Sequence, residues 1–330
     1  MQGLQVEHLS VEFQTEAGRL QAVRDVSFSL KPGHTLALVG ESGSGKSVTG
    51  RAILGILETN AHVTQGQIRY DQKDLLQMKE AELVGLRGKG IAMVFQDPLS
   101  SLNPLMPIGK QITEVIRLKL GASREAAREK ALQLLQEVGI RDGERCFRQY
   151  PHQLSGGMRQ RVVIAIALAA DPEILICDEP TTALDVTIQA QILELLERQK
   201  QQRDLSMLFI THDFGVVAQM ADDVAVMYAG KIVEYGTVEE IFYDPRHPYT
   251  RALLRATPHL RARGRLEAIA GTPPDMHHPP VGDAFALRNP EAMVIDLQRQ
   301  PPAFWVSPTH WAATWLLHPN AMERDGKDGT

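Results

Sequence analysis

From Leu4 to Leu30 the chain alternates apolar and polar residues, with Val6, Leu9, Val11 and Phe13 and then Val23, Val26, Phe28 and Leu30 on the apolar side. A period near two predicts antiparallel strands with one buried face. The pattern then changes to short, wholly apolar runs: Thr35-Leu36-Ala37-Leu38-Val39, Ile91 to Phe95, Ile174 to Cys177, Met207 to Ile210 and Val224 to Met227. Helix-like stretches separate them, so a mainly parallel α/β sheet is expected behind a small β subdomain. Between Asp97 and Gln153 the strand signal stops. There, Ser123 to Gly139 carries Ala127, Ala131, Leu134, Leu135 and Val138 at helical spacing, which predicts a helical insertion. After about Thr257 the breakers Thr272-Pro273-Pro274, Pro279-Pro280 and Pro301-Pro302 leave little regular structure, and a C-terminal extension folded against the core is expected. The polar end from Glu323 to Thr330 is expected to be disordered.

Gly40-Glu41-Ser42-Gly43-Ser44-Gly45-Lys46-Ser47 lies between the apolar run ending at Val39 and a helix-like run from Ser47 to Leu57. A strand that turns sharply into a helix through glycines aims successive backbone N–H groups inward, making a nest for phosphate. The spacing is that of a phosphate loop, which predicts a nucleoside triphosphate held by Gly40, Ser42, Gly43 and Gly45, with Lys46 on the β- and γ-phosphates and Ser47 on Mg²⁺. Three apolar runs end in chemically loaded residues: Gln96, the pair Asp178-Glu179, and Thr211-His212. In open parallel sheets ligands bind beyond the carboxyl ends of the strands. Asp178 is therefore expected to hold the metal and Glu179 to orient or deprotonate the attacking water. His212 is a candidate contact to the γ-phosphate.

Composition narrows the class. The 330 residues are 43% hydrophobic and 23% charged, enough for a large core, and the formal charge of −5 gives no overall basic field for nucleic acid. Only Cys146 and Cys177 occur, so a disulfide framework is not expected. The longest apolar run, Val162 to Ala170, is too short to span a bilayer, and the start Met1-Gln2-Gly3-Leu4-Gln5 lacks the pattern of a signal peptide. A cytosolic chain, or one peripheral to a membrane through a partner, is the expectation.

Leu154-Ser155-Gly156-Gly157-Met158-Arg159-Gln160-Arg161 precedes a helix-like run and makes a second anion site, Ser155 capping the helix and the glycines exposing N–H groups. This segment, in its order with the other motifs, resembles the signature of ATP-binding-cassette ATPases. The resemblance implies a P-loop NTPase fold of that type: a RecA-like core with antiparallel β and helical subdomains. Two such domains would pair head to tail, ATP lying between one chain's phosphate loop and the other's Ser155, Gly156 and Gly157. It also implies that Phe13 stacks on adenine, Gln96 senses Mg²⁺ and water, and Asp185 makes contact across the pair.

Gln96-Asp97-Pro98-Leu99-Ser100-Ser101-Leu102-Asn103-Pro104, Pro180-Thr181-Thr182-Ala183-Leu184-Asp185 and His247-Pro248-Tyr249-Thr250-Arg251-Ala252-Leu253-Leu254 resemble the oligopeptide, dipeptide and nickel importer ATPases. Within that group the chain resembles the D-type ATPase of oligopeptide permeases. Such a subunit implies an F-type ATPase partner in a heterodimer, two transmembrane permease subunits, an extracytoplasmic peptide-binding protein, and a place on the cytoplasmic face of the membrane. The division implied is residues 1–257 as the nucleotide-binding domain, with the helical subdomain at about 97–158, and 258–330 as the extension. Many D-type relatives hold an iron–sulfur cluster on four cysteines of that extension. Aligned on Phe285, Arg288 and Ala292-Met293, this chain has Asp283, Asn289, Asp296 and Thr314, and cluster ligation needs thiolates, so no cluster is expected. Two other classes compete. A small-molecule kinase has no use for the second glycine site, and a soluble cassette acting in repair or translation would typically bring a coiled coil or a second cassette, neither visible here.

Overall fold

The computed structural model describes residues 3–182, 184–257 and 269–322. The expected polar tail at 323–330 lies outside them. The chain forms two compact units, one of residues 3–29, 35–76 and 211 onward, the other chiefly of residues 30–34 and 77–210.

The first unit opens with β1 (Leu4–Thr15) and β2 (Gly18–Leu30), followed by β3 (Thr35–Val39), α1 (Lys46–Leu54), β4 (Ala61–Tyr70) and β5 (Lys73–Asp74). The strands β2, β1, β4 and β5 form one sheet, of which the alternating pattern from Leu4 to Leu30 predicted β1 and β2, while β4 and β5 lie outside it. Its apolar phase slips between Val6 and Leu9, and the structure supplies the cause: His8 takes a left-handed φ of 52°, and the register with β4 shifts between Glu7 and Ser10. This bulge returns Leu9 and Val11 to the buried face. Helix α1 ends three residues before the predicted Leu57, because Gly55 adopts a left-handed cap (φ 62°) whose N–H closes on Ala52.

The second unit carries α2 (Glu80–Leu86), β6 (Ile91–Val94), α3 (Pro98–Ser101), α4 (Ile108–Leu120), α5 (Arg124–Glu137), α6 (Gly143–Arg148), α7 (Gly156–Leu168), β7 (Ile174–Asp178), α8 (Val186–Arg203) and β8 (Ser206–Thr211), the last strand ending at the boundary. β6, β7 and β8 are parallel neighbours. The insertion is helical as expected: α5 starts on the Ser123 cap, and Ala127, Ala131, Leu134, Leu135 and Val138 are all buried.

The first unit resumes with α9 (Phe214–Met220), β9 (Asp223–Tyr228), β10 (Lys231–Thr237), α10 (Val238–Tyr243), α11 (Pro248–Ala256), α12 (Val294–Gln298), β11 (Phe304–Trp305), β12 (Trp311–Ala312) and α13 (Pro319–Met322). β3 and β9 are parallel, yet β9–β10, β10–β12 and β12–β11 are antiparallel. The mainly parallel expectation therefore missed this edge. The β9–β10 turn places Ala229 (φ 47°) and Gly230 (φ 78°) both in left-handed backbone, a hairpin turn without the usual Asn-Gly signal.

The extension belongs to this edge. Phe285 is buried among Tyr228, Tyr249, Val226 and Phe214, and His310 Nε2 lies 2.9 Å from the buried Glu234 Oε1 on β10. Among the extension's aromatic residues, Phe285 is buried, while Trp305 remains 66% exposed; Phe304, Trp311 and Trp315 are half-buried. A two-residue edge strand leaves Trp305 only one covered neighbour strand, which is too little to bury an indole.

Candidate nucleotide site

The phosphate loop grows from β3, all five residues of which are buried. Gly40 has φ 155°, and a Cβ there would stand 2.1 Å from the Met227 carbonyl oxygen; a Cβ on Gly45 (φ 102°) would stand 2.4 Å from that of Ala22. Both glycines are thus demanded by close backbone approach, Gly45 also by its left-handed conformation. Gly43 (φ 78°) faces open space, so only its backbone conformation requires glycine. Lys46 opens α1, and its buried Nζ donates to the carbonyls of Gly40 (2.8 Å) and Glu41 (2.9 Å). Ser42 is exposed and Ser47 half-buried on the same turn. The result is a glycine-rich turn at the positive end of a helix, with the Lys46 ammonium folded back onto the turn's own carbonyls.

The second unit holds the carboxylates. β6 and β7 run parallel with Val94 opposite Cys177, so Gln96 and Glu179, each two residues further, arrive together. Gln96 Nε2 donates to Glu179 Oε2 at 2.9 Å, and Thr182 Oγ1 donates to the same oxygen at 2.9 Å. Thr182 escaped the sequence reading as a site residue, although it lies in the quoted Pro180-Thr181-Thr182 segment. Glu179 has φ 46°, a left-handed conformation costing a non-glycine residue on the order of 1 kcal/mol, and its N–H donates to the Ile210 carbonyl. Asp178 is almost wholly buried at the end of β7.

Ser155 caps α7, its Oγ accepting from the Met158 N–H, and Gly156 is the first helical residue. A Cβ on Gly156 would meet nothing nearer than 3.9 Å, whereas one on Gly157 would stand 2.8 Å from Ile188 Cγ2. Asp185 is exposed and caps α8 by accepting from the Ile188 N–H at 2.9 Å. His212 follows β8 and is exposed; Phe13 is half-buried on β1. Both cysteines are buried, in α6 and β7, and burial pushes the Cys146 thiol up to about 11 and Cys177 upward as well, so neither is an activated thiolate.

The four extension positions carry oxygen donors used locally. Asp283 Oδ1 accepts from Phe285 N–H (3.0 Å), Asp296 Oδ2 from Met293 N–H (2.6 Å), Asn289 Oδ1 from Glu291 N–H (3.0 Å) and Thr314 Oγ1 from Leu316 N–H (3.4 Å). This set does not fit an iron–sulfur cluster, which takes thiolates. Burial pushes the Asp283 carboxyl up to about 6, against the lowering effect of the Phe285 N–H and with Asp296 adding to the rise. A raised folded-state pKa favours the neutral form, so this contribution to stability is complete below about pH 4 and is lost as pH rises through 6. Between pH 4 and pH 7 the native chain should lose on the order of 2 kcal/mol relative to Asp283→Asn, read from urea midpoints at each pH.

Comparison with known proteins completes the picture. Residues 23–182 match the family described as ABC transporter, and residues 233–295 match the oligopeptide/dipeptide transporter C-terminal region. The chain is 57% identical to the oligopeptide transport ATP-binding protein OppD of Bacillus subtilis, covering 96% of this chain and 90% of that protein. It is also 57% identical to the dipeptide transport ATP-binding protein DppD of Lactococcus lactis, covering 96% and 92%. Among solved structures, the dimeric post-hydrolysis ATP-binding cassette MJ0796 bound to ADP and phosphate superposes with a TM-score of 0.65 at 27% identity, covering 71% of this chain and 98% of that one. The chain belongs to the ABC transporter ATPases, within their oligopeptide/dipeptide branch. It is an ATP-binding, ATP-hydrolysing α/β protein of the P-loop cassette type with a C-terminal extension.

Proposed function

We propose that this ATPase powers uptake of oligopeptides across the cytoplasmic membrane, acting from the cytoplasmic face as a peripheral subunit. The 57% identity to an oligopeptide ATP-binding protein over 96% of the chain, extension included, carries the reading. Its partners are an F-type ATPase, two transmembrane permease subunits and an extracytoplasmic peptide-binding protein. Residues 1–257 form the nucleotide-binding domain, with the helical subdomain at about 97–158, and residues 258–330 the peptide-importer extension, which works without an iron–sulfur cluster.

In this reading the backbone of Gly40, Ser42, Gly43 and Gly45 cradles the phosphates, Lys46 neutralises the β- and γ-groups, and Phe13 stacks on adenine. Ser47, Asp178 and Gln96 would hold Mg²⁺. Their oxygens are hard donors of the kind Mg²⁺ takes, and for Gln96 the donor would be the amide oxygen, its nitrogen being committed to Glu179. When bound, Mg²⁺ draws charge from the β- and γ-phosphates. Glu179, steadied by Gln96 and Thr182, takes the proton of the attacking water, and His212 contacts the γ-phosphate. Ser155, Gly156 and Gly157 serve the ATP held by the partner cassette, with Asp185 at the same dimer contact.

The test is uptake into vesicles carrying the purified complex. Lys46→Ala in this chain should abolish most nucleotide-driven uptake, and tetrapeptides should be carried in preference to dipeptides. Preferential dipeptide uptake would establish the second reading, which the equal identity to a dipeptide transport protein favours. ATP hydrolysis that no peptide stimulates and no peptide uptake accompanies would remove the import reading altogether.

A further inference from the structure

We infer that Arg288 of the extension is a positioning residue for the nucleotide: through Glu41 it fixes the phosphate loop and neutralises the one carboxylate that loop carries. The inference rests on the phosphate-loop reading of Gly40 to Ser47. Three side chains converge on Glu41. Its carbonyl accepts from Lys46 Nζ at 2.9 Å, its N–H donates to Tyr249 Oη at 2.8 Å, and its carboxylate takes a two-pronged pair from Arg288, Nη1–Oε2 at 2.7 Å and Nη2–Oε1 at 3.0 Å.

Arg288 is itself immobilised. Its side chain is only 5% exposed, Nε donates to the Ala270 carbonyl at 2.9 Å, Nη1 reaches Tyr228 Oη at 3.2 Å, and the guanidinium lies 5.7 and 5.8 Å from the Tyr228 and Phe285 ring centres. A guanidinium held by rings and carbonyls presents its fork in a fixed direction, which is the geometry that bidentate carboxylate binding needs. Most of these fixtures come from residues 228–288, remote in sequence from the loop they steady.

The consequence is electrostatic as well as geometric. A carboxylate one residue into a triphosphate-binding loop repels its ligand unless a cation cancels it, and here that cation belongs to the extension. Removing Arg288 leaves Glu41 charged beside the phosphates and frees the loop that orients Lys46. ATP binding should weaken while the hydrolytic step, carried by Glu179, is little changed.

The experiment is a double-mutant cycle on the purified transporter, reading KM and kcat for ATP, with a fluorescent ATP analogue giving Kd on the full-length chain. Arg288→Ala should raise KM and Kd about tenfold with kcat within about twofold. Adding Glu41→Gln to Arg288→Ala should bring both back to within about threefold of the native values, because the neutral amide no longer needs a cation; Arg288→Lys should fall between. A purely structural Arg288, holding only the Ala270 segment, would show no rescue by Glu41→Gln. An unchanged KM in Arg288→Ala, or a double variant as weak as the single, overturns the inference. Should Arg288→Ala not accumulate, Arg288→Gln with and without Glu41→Gln runs the same cycle. Lys46→Ala serves as the control: native-like analogue binding there overturns the phosphate-loop reading and this inference with it, whereas lost binding there beside an unchanged Arg288→Ala overturns this inference alone.

Discussion

Glu179→Gln should bind ATP as tightly as the native chain and turn it over at least about a hundredfold more slowly in the assembled transporter. The structure makes this a clean substitution. Gln96 Nε2 and Thr182 Oγ1 both donate to Glu179 Oε2, and a glutamine can turn its amide oxygen to those two donors, keeping the cluster's shape. What the amide cannot do is take up a proton. Asp178, buried on β7, and the phosphate loop are untouched, so affinity has no reason to change. The measurement is single-turnover hydrolysis beside equilibrium binding of the same analogue. Turnover within about threefold of native would take Glu179 out of the proton-accepting role.

Gly156→Asp should produce the second large effect, a loss of about tenfold or more in ATP hydrolysis at the partner cassette's phosphate loop, with no loss of folding stability in this chain. The stability half comes from local physics. Gly156 is the first residue of α7, a Cβ there meets nothing within 3.9 Å, and a carboxylate in the first turn of a helix interacts favourably with its dipole. The activity half comes from charge: a carboxylate placed in an anion site repels a γ-phosphate. Gly157 is a poorer choice for this test, since its Cβ would press on Ile188 and confuse repulsion with packing. Nucleotide trapping at the partner site, with subunit-specific labelling, is the readout. Unchanged trapping in a stably folded Gly156→Asp complex would show that this glycine site does not serve the partner's nucleotide.

Lys46, Glu41 and Gly40 meet within a single turn, because the phosphate loop is a local object: the strand before it, the helix after it and the glycines between are contiguous, and close approach to Met227 and Ala22 merely enforces them. The same holds for Ser155, recognisable as a helix cap three residues before the N–H it accepts, whereas the capping of α8 by Asp185 emerges only in the structure. The meeting of Gln96 with Glu179 was half legible. Two apolar runs each ending in a polar residue indicated strand ends, while their adjacency depends on the parallel pairing of Val94 with Cys177.

The sequence by itself determined the elements whose signal lies within one turn or one strand: the buried runs, the helical insertion, the two glycine-rich helix starts, and the absence of thiols at the four extension positions. Tertiary structure alone decided the β9–β10 hairpin, whose Ala229-Gly230 turn carries no strong local code, the exposure of Trp305, and the bond between Glu41 and Arg288. The reason is physical. Backbone conformation and helix capping are set by a few neighbouring residues, whereas burial and ion pairing depend on which distant segments share a surface, and 247 positions separate Arg288 from the carboxylate it neutralises.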